Sequence, residues 1–181
     1  DRAPLQTNVE KTKLQGGRGV SASTTAEAGR RKFLVVVDDT PECRVAVRFA
    51  CRRAQRTSGG VVLLRVLEPA DFQHWLAVEE RMREEAREEA EHLLQALAAE
   101  VNEWAGVMPE FLIREGNKRD EILAQIEDDA GIRILVLGAS PDKEGPGPLV
   151  SSLAGQMSGS MRVPITVVPG ELSDEQVDEL S

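Results

Sequence analysis

Positive charge is in short supply in this chain: 22 lysines and arginines stand against 31 acids, a net charge of −9. Nucleic-acid backbones are held by basic stripes, so this balance argues against DNA or RNA as a partner. Cysteine is scarcer still. Cys43 and Cys51 fall eight residues apart in one predicted helix, which separates them by about 12 Å at roughly 1.5 Å of rise per residue. A disulfide needs Cα atoms within about 7 Å. Both are therefore expected to be separate reduced thiols, buried as small apolar residues, in a protein of the reducing cytoplasm. No apolar run reaches the roughly 20 residues of a membrane span and no signal-peptide core is visible, so no membrane partner is expected. The first residue is Asp1 rather than Met, and the natural start is expected upstream. Catalytic signatures are missing too. There is no G-x-x-x-x-G-K-[S/T], and the first predicted strand leads into "DDTPEC" rather than G-x-G-x-x-G. His74 and His92 lie 18 residues apart with no Cys or acid at metal-ligand spacing, and read as surface histidines. Cys43 falls in the first turn of a helix, where the dipole lowers a thiol pKa, but no histidine-based nucleophile set accompanies it. The expectation is a protein that is not an enzyme, with no metal site.

What is present is globular: 41% hydrophobic and 29% charged residues. Residues 1–31 are rich in Gly, Ser, Thr and Ala and carry six basic residues against three acids. They read as a disordered or extended N-terminal tail. Residues 32–169 read as one domain. Residues 170–181, "GELSDEQVDELS", read as an acidic C-terminal tail able to form a terminal helical turn.

Within the domain, strands and helices alternate. "KFLVVV" (32–37) is a buried strand, followed by a helix capped by Asp39 or Thr40, with Pro41 in its first turn and Glu42 completing a capping pattern. "VVLLRVL" (61–67) is the second strand. A long helix over 75–105 carries Val78, Met82, Ala86, Ala90, Leu93, Leu97, Val101 and Trp104 at helical spacing, with a charged, solvated opposite face. "PEFLIRE" (109–115), a short helix capped by Asn117, and "IRILVLG" (132–138) follow. A helix over 149–161 and the strand "VPITVVP" (163–169) complete the pattern. Alternation of this kind predicts an α/β fold, an open, mostly parallel five-stranded sheet with helices on both faces, Rossmann-like in type. Ligands of such sheets bind outside the carboxyl ends of the strands, where strand order reverses. Asp38–Thr40 and the stretch "GASPDKEGPGPLVSSLAG" (138–155) are expected to meet there.

From residue 32 to 169 the chain resembles the universal stress protein family. "VVVDDTPEC" resembles that family's V-D-x-S opening, and "LLRVLEP" its second-strand ending. "REGNKRDEILAQIEDDAGIRILVLGAS" and "VPITVVP" match its third helix, fourth strand and closing strand. The resemblance implies an adenine nucleotide alpha hydrolase-like fold. Nucleotide-binding members carry G-x-x-G, nine residues, then G-[S/T]. Here Gly138 takes the first place, Pro141 the second, Ser151 the third and Ser152 the hydroxyl, so the spacing is kept and two of three glycines are gone. Pro141 has no amide to offer a phosphate. Ser151 adds a Cβ where backbone should approach the anion, although Ser151 and Ser152 at a helix start retain hydroxyls for one. Asp142 and Glu144 repel a polyphosphate, and Lys143 is the loop's only cation. By the resemblance, Asp38 would sit by the ribose and the backbone of Val66 would meet the adenine. Asp39 adds a negative charge to the same mouth, which a Mg²⁺ complex would offset.

The resemblance also implies a homodimer joined through the fifth strand, from Val163 to Val168, whose apolar, uncharged edge leaves backbone groups unpaired. Gly155 and Gly159 leave a small-residue face on the preceding helix, explained by close packing on the sheet or on another chain. The leading expectation is a non-enzymatic stress-response or regulatory protein with an altered nucleotide loop and no required cofactor, acting as a dimer through protein contacts. The alternative is an ATP- or AMP-binding sensor, with ATP and Mg²⁺ as its ligand and at most weak hydrolysis. An α/β enzyme domain acting on an adenylated substrate would need a catalytic constellation that the residues do not supply.

Overall fold

The computed structural model describes residues 29–69 and 76–181. Residues 1–28, with most of the N-terminal tail, lie outside the described residues, as do His74, Trp75 and the side chain of Val78. Five strands form one sheet: β1 (Lys32–Val36), β2 (Gly60–Leu67), β3 (Glu110–Glu115), β4 (Ile132–Ala139) and β5 (Ile165–Pro169). Every neighbouring pair is parallel, in the order β3-β2-β1-β4-β5. The connecting helices are α1 (Pro41–Thr57), α2 (Leu76–Ala105) and α3 (Lys118–Asp128), with a π-helical turn over Val150–Gln156 and a terminal helix α4 (Asp174–Leu180).

The period-two geometry of the strands divides their apolar residues between two cores. Phe33, Val35, Val37, Val61 and Leu63 face α1 and α2, against Ala46, Ala50, Leu94, Leu97 and Val101. Leu34, Val36, Val62, Leu64 and Val66 face the other way, against Ile122 and Ile126 of α3 and Leu153 of the π-helical turn. Continuous Val/Leu runs are what a sheet covered on both faces demands. The result is an α/β, Rossmann-like doubly wound fold.

The structure departs from the sequence reading at several element ends. Thr40 occupies the N-cap of α1 but makes no side-chain cap, because its hydroxyl donates to Asp38 Oδ1 at 2.5 Å instead. Asn117 caps α3 as expected, accepting from the Asp120 amide. In α2, Met82 is 40% exposed and Leu94, not Leu93, is fully buried. Among the described side chains of α2, those from Ala90 onward reach the core. The helix expected over 149–161 ends at Gln156. Its last turn widens, with the Met157 amide donating to the Ser152 carbonyl, and two glycines in this stretch resist α-helical winding. A Cβ on Gly155 or Gly159 would meet nothing within 4 Å, so the sheet is not the close partner expected for them. The last strand starts at Ile165 rather than Val163, since Pro164 has no amide for the ladder and offers only its carbonyl, to the Leu135 amide. Residues 170–181 form more than a turn. Ser173 and Gln176 make a full capping box, and α4 sits on α1 with Val177 completely buried.

Candidate functional site

β1 and β4 are adjacent, and the chain leaves them toward opposite faces of the sheet. After β1 it enters α1 on one face; after β4 it reaches the π-helical turn on the other. A crevice opens between the two exits, at the point where strand order reverses. It holds a cleft of about 260 Å³. Val36 and Leu137 form an apolar floor, Asp38, Thr40 and Glu42 one wall, and Gly147 to Val150 the other.

Each wall has a local cause. Asp38 Oδ1 accepts from both the amide (3.0 Å) and the hydroxyl of Thr40, which folds the chain sharply from β1 into α1 and fixes the carboxylate at the rim. Gly138 brings β4 against the start of α1, where a Cβ would stand 2.4 Å from the Glu42 carbonyl oxygen. Beyond it the loop folds on itself. The Ser140 amide donates to Pro146 O, Asp142 N to Ser140 Oγ, Gly145 N to Asp142 O and Ser151 N to Gly147 O. Gly145 and Gly147 have φ of +115° and +97°, which only glycine adopts readily. Those four amides are committed within the loop, and Pro141, Pro146 and Pro148 have none.

Two sequence-predicted residues, Asp38 and Gly138, line the cleft. Ser151 lies outside it, on a neighbouring hollow of about 470 Å³ whose walls include Glu42, Asp142 and Glu144. Ser152 and Val66 line neither; the Val66 side chain is buried in the core facing α3. Asp39, expected to charge the mouth, turns away to Arg65, at 3.0 Å, and Arg65 also donates to the Val37 carbonyl. The sequence reading missed Lys118, the first residue of α3, which reaches the cleft and stands 3.9 Å from Glu68. It follows β3, two strands from β1, so only strand order could place it there. Pro146, Gly147 and Pro148 build part of the cleft's wall.

Cys43 also lines the cleft. Burial pushes its thiol up to about 11, against the lowering effect of the Asp38 amide that donates to it. Desolvation thus overrides the helix start, and the thiol stays protonated at neutral pH. Cys51, deeper in α1, is pushed up to about 12 by burial; both cysteines are free. His92 is exposed. Among the described residues no group of three or more His, Cys, Asp or Glu is placed to hold a metal ion. Among them, too, no helix is long and apolar enough to cross a membrane.

A doubly wound parallel sheet with a cleft at the switch point between β1 and β4 is the architecture in which such sheets hold their ligands. The chain belongs to the universal stress protein family, whose model matches residues 29–169. Solved structures of the same fold include the universal stress protein UspA from Lactobacillus plantarum, at 20% identity over 77% of this chain and 98% of that one, with a TM-score of 0.65. A universal stress protein from Archaeoglobus fulgidus in complex with dAMP is 16% identical over 77% and 98% of the two chains, TM-score 0.55. An Arabidopsis thaliana member with AMP bound is 17% identical over 76% and 90%, TM-score 0.52. No curated protein matches the sequence.

Proposed function

We propose that this protein is a non-enzymatic, cytoplasmic regulatory member of its family whose altered loop rejects a nucleoside triphosphate, and that it acts as a dimer through protein contacts. The observation that carries the reading is the hollow beside the cleft. A polyphosphate leaving the cleft past Ser151 would run between Glu42, Asp142 and Glu144, along a loop whose Ser140, Asp142, Gly145 and Ser151 amides are already bonded. Phosphate loops work by the opposite arrangement, free amides and a glycine backbone turned to the anion. The residues present do not fit ATP with Mg²⁺.

The inner cleft supports a second reading, a sensor of a nucleoside or its monophosphate. Asp38 at the rim suits sugar hydroxyls, Val36 and Leu137 suit a base, and Lys118 suits a single phosphate. The relatives solved with dAMP and AMP bear on this reading. Calorimetric titration of nucleotide-stripped protein with Mg-ATP, AMP and adenosine separates the two. Mg-ATP is expected to give no heat at millimolar concentration, and the pair Pro141→Gly with Ser151→Gly to raise its affinity at least tenfold. A micromolar Kd for Mg-ATP in the unaltered protein, about −8 kcal/mol, would overturn the proposal. Heat with AMP but not with Mg-ATP would select the sensor.

A further inference from the structure

A dense cluster of charged contacts lies away from the cleft, under α4. On α1, Arg48, Arg52 and Arg56 recur every four residues and so stack along one face. Arg48 grips Asp178 with Nε and Nη2 at 2.9 and 2.7 Å, and Arg52 grips the same carboxylate at 2.9 and 3.2 Å. Arg48 also pairs with Asp174 at 3.1 Å. Arg56 donates to the main-chain carbonyls of Asp178 and Ser181. Both Arg48 and Arg52 lie over the Trp104 ring, 5.0 and 5.2 Å from its centroid. Paired guanidinium forks on an aromatic floor are a receptor for carboxylates.

The occupant fills this receptor poorly. Helices much shorter than 12–15 residues are marginal on their own, and α4 has seven. Val177 is its only buried apolar side chain, and Leu180 is 63% exposed. Beside α4 an open groove of about 260 Å³ remains, with Val47, Leu97, Val101 and Trp104 as its apolar wall and Arg44, Arg48, Glu100 and Asp174 as its charged one. The family match stops at residue 169, before α4. The Arg48, Arg52 and Asp178 side chains keep 17%, 21% and 32% of their surface in water, so salt and a competing carboxylate can reach these pairs. A segment held by Val177, by Leu172 packed at the edge of the core and by such pairs has few apolar anchors and belongs toward the low end of local stability.

We propose that residues 171–181 are a detachable acidic strap, and that the arginine–tryptophan groove beneath it docks an acidic amphipathic helix of a partner protein, which displaces the strap. The occupant follows from charge and shape. Arg44 is already paired with Glu100, but displacing the strap frees Arg48, Arg52 and Arg56, so the partner segment is acidic. The apolar strip of Val47, Leu97 and Val101 asks for more hydrophobic side chains than α4 supplies. Such a segment presents acids at the spacing of Asp174 and Asp178, with apolar residues on the same face. The inference is independent of what the cleft binds.

The test uses the full chain and a fluorescent synthetic peptide of residues 170–181 as the probe. In Asp178→Lys the strap loses its grip, and the probe is expected to bind at least tenfold more tightly than to the unaltered protein. Val177→Ser, which frees the strap without changing charge, should give the same direction. Adding Arg48→Gln and Arg52→Gln should abolish binding while the thermal transition stays cooperative. Equal affinity for the unaltered and strap-released proteins, or binding that survives loss of both arginines, would overturn the proposal. A dimer of Asp178→Lys that excess probe does not disperse would assign the groove to a second copy, and would overturn it equally. Hydrogen exchange gives an independent reading: the Val177 and Ser181 amides should exchange at least tenfold faster than those of β1, and strap amides as slow as the core would refute a detachable segment.

Discussion

A methyl group on Gly138 would stand 2.4 Å from the Glu42 carbonyl oxygen and 2.7 Å from its carbon, both main-chain atoms at the start of α1. Backbone there cannot step aside without moving the helix. Gly138→Ala is therefore expected to destabilise the fold by about 1–3 kcal/mol, the usual range for overpacking. Urea unfolding measures it, and a loss below about 0.5 kcal/mol would mean that α1 yields. The first glycine of the loop pattern thus has a packing duty that holds whether or not a nucleotide binds. That duty was not legible in the sequence, where Gly138 stood only as a place in a phosphate-loop spacing. Cys43 teaches the same lesson with the sign reversed. Its place in the first turn of α1 predicts a lowered thiol, and burial raises it to about 11.

Among the elements, α4 departs furthest from expectation, and its attachment has a pH signature. The Arg48 guanidinium, with Arg52, holds the Asp178 carboxyl down at about 2, against 3.8 ordinarily. A depressed carboxyl contributes stability that is complete above its unfolded pKa and is lost as pH falls through the folded one. Strap attachment should then be constant from pH 5 to 8 and weaken between about pH 4 and 2. Exchange or amide chemical shifts of Val177 and Ser181 would follow it. An opening that does not change down to pH 2 would show that Val177, not the ion pairs, holds the strap. The helix was hard to see in the sequence because "DEQVDEL" has one inward apolar residue, too few for a periodic signal. Its partner, the stripe of Arg48, Arg52 and Arg56, looks like an ordinary solvated face until Trp104 and Asp178 arrive from distant segments.

At the level of the whole molecule, β5 forms one edge of the sheet, paired only with β4. Val167 is 38% exposed on it. An uncharged edge of this kind pairs readily with another chain, which supports the proposed dimer. Val167→Lys is expected to shift the protein toward monomer in analytical ultracentrifugation, because a charge on an edge strand opposes pairing. A dimer of unchanged strength would place the interface elsewhere.

Strand runs, helix periodicity and their alternation were properties of the sequence alone, and with them the α/β class, the five strands, the family and the meeting of Asp38 with Gly138. These are local signals, readable because each strand's apolar run and each helix's repeat is contained within its own segment. Tertiary structure decided what depends on segments far apart in the chain. It put Lys118 at the cleft, turned Asp39 onto Arg65, set the Val66 side chain in the core facing α3, and laid α4 on α1. Strand order and the meeting of distant charges set those outcomes, and neither is written in any local stretch of residues.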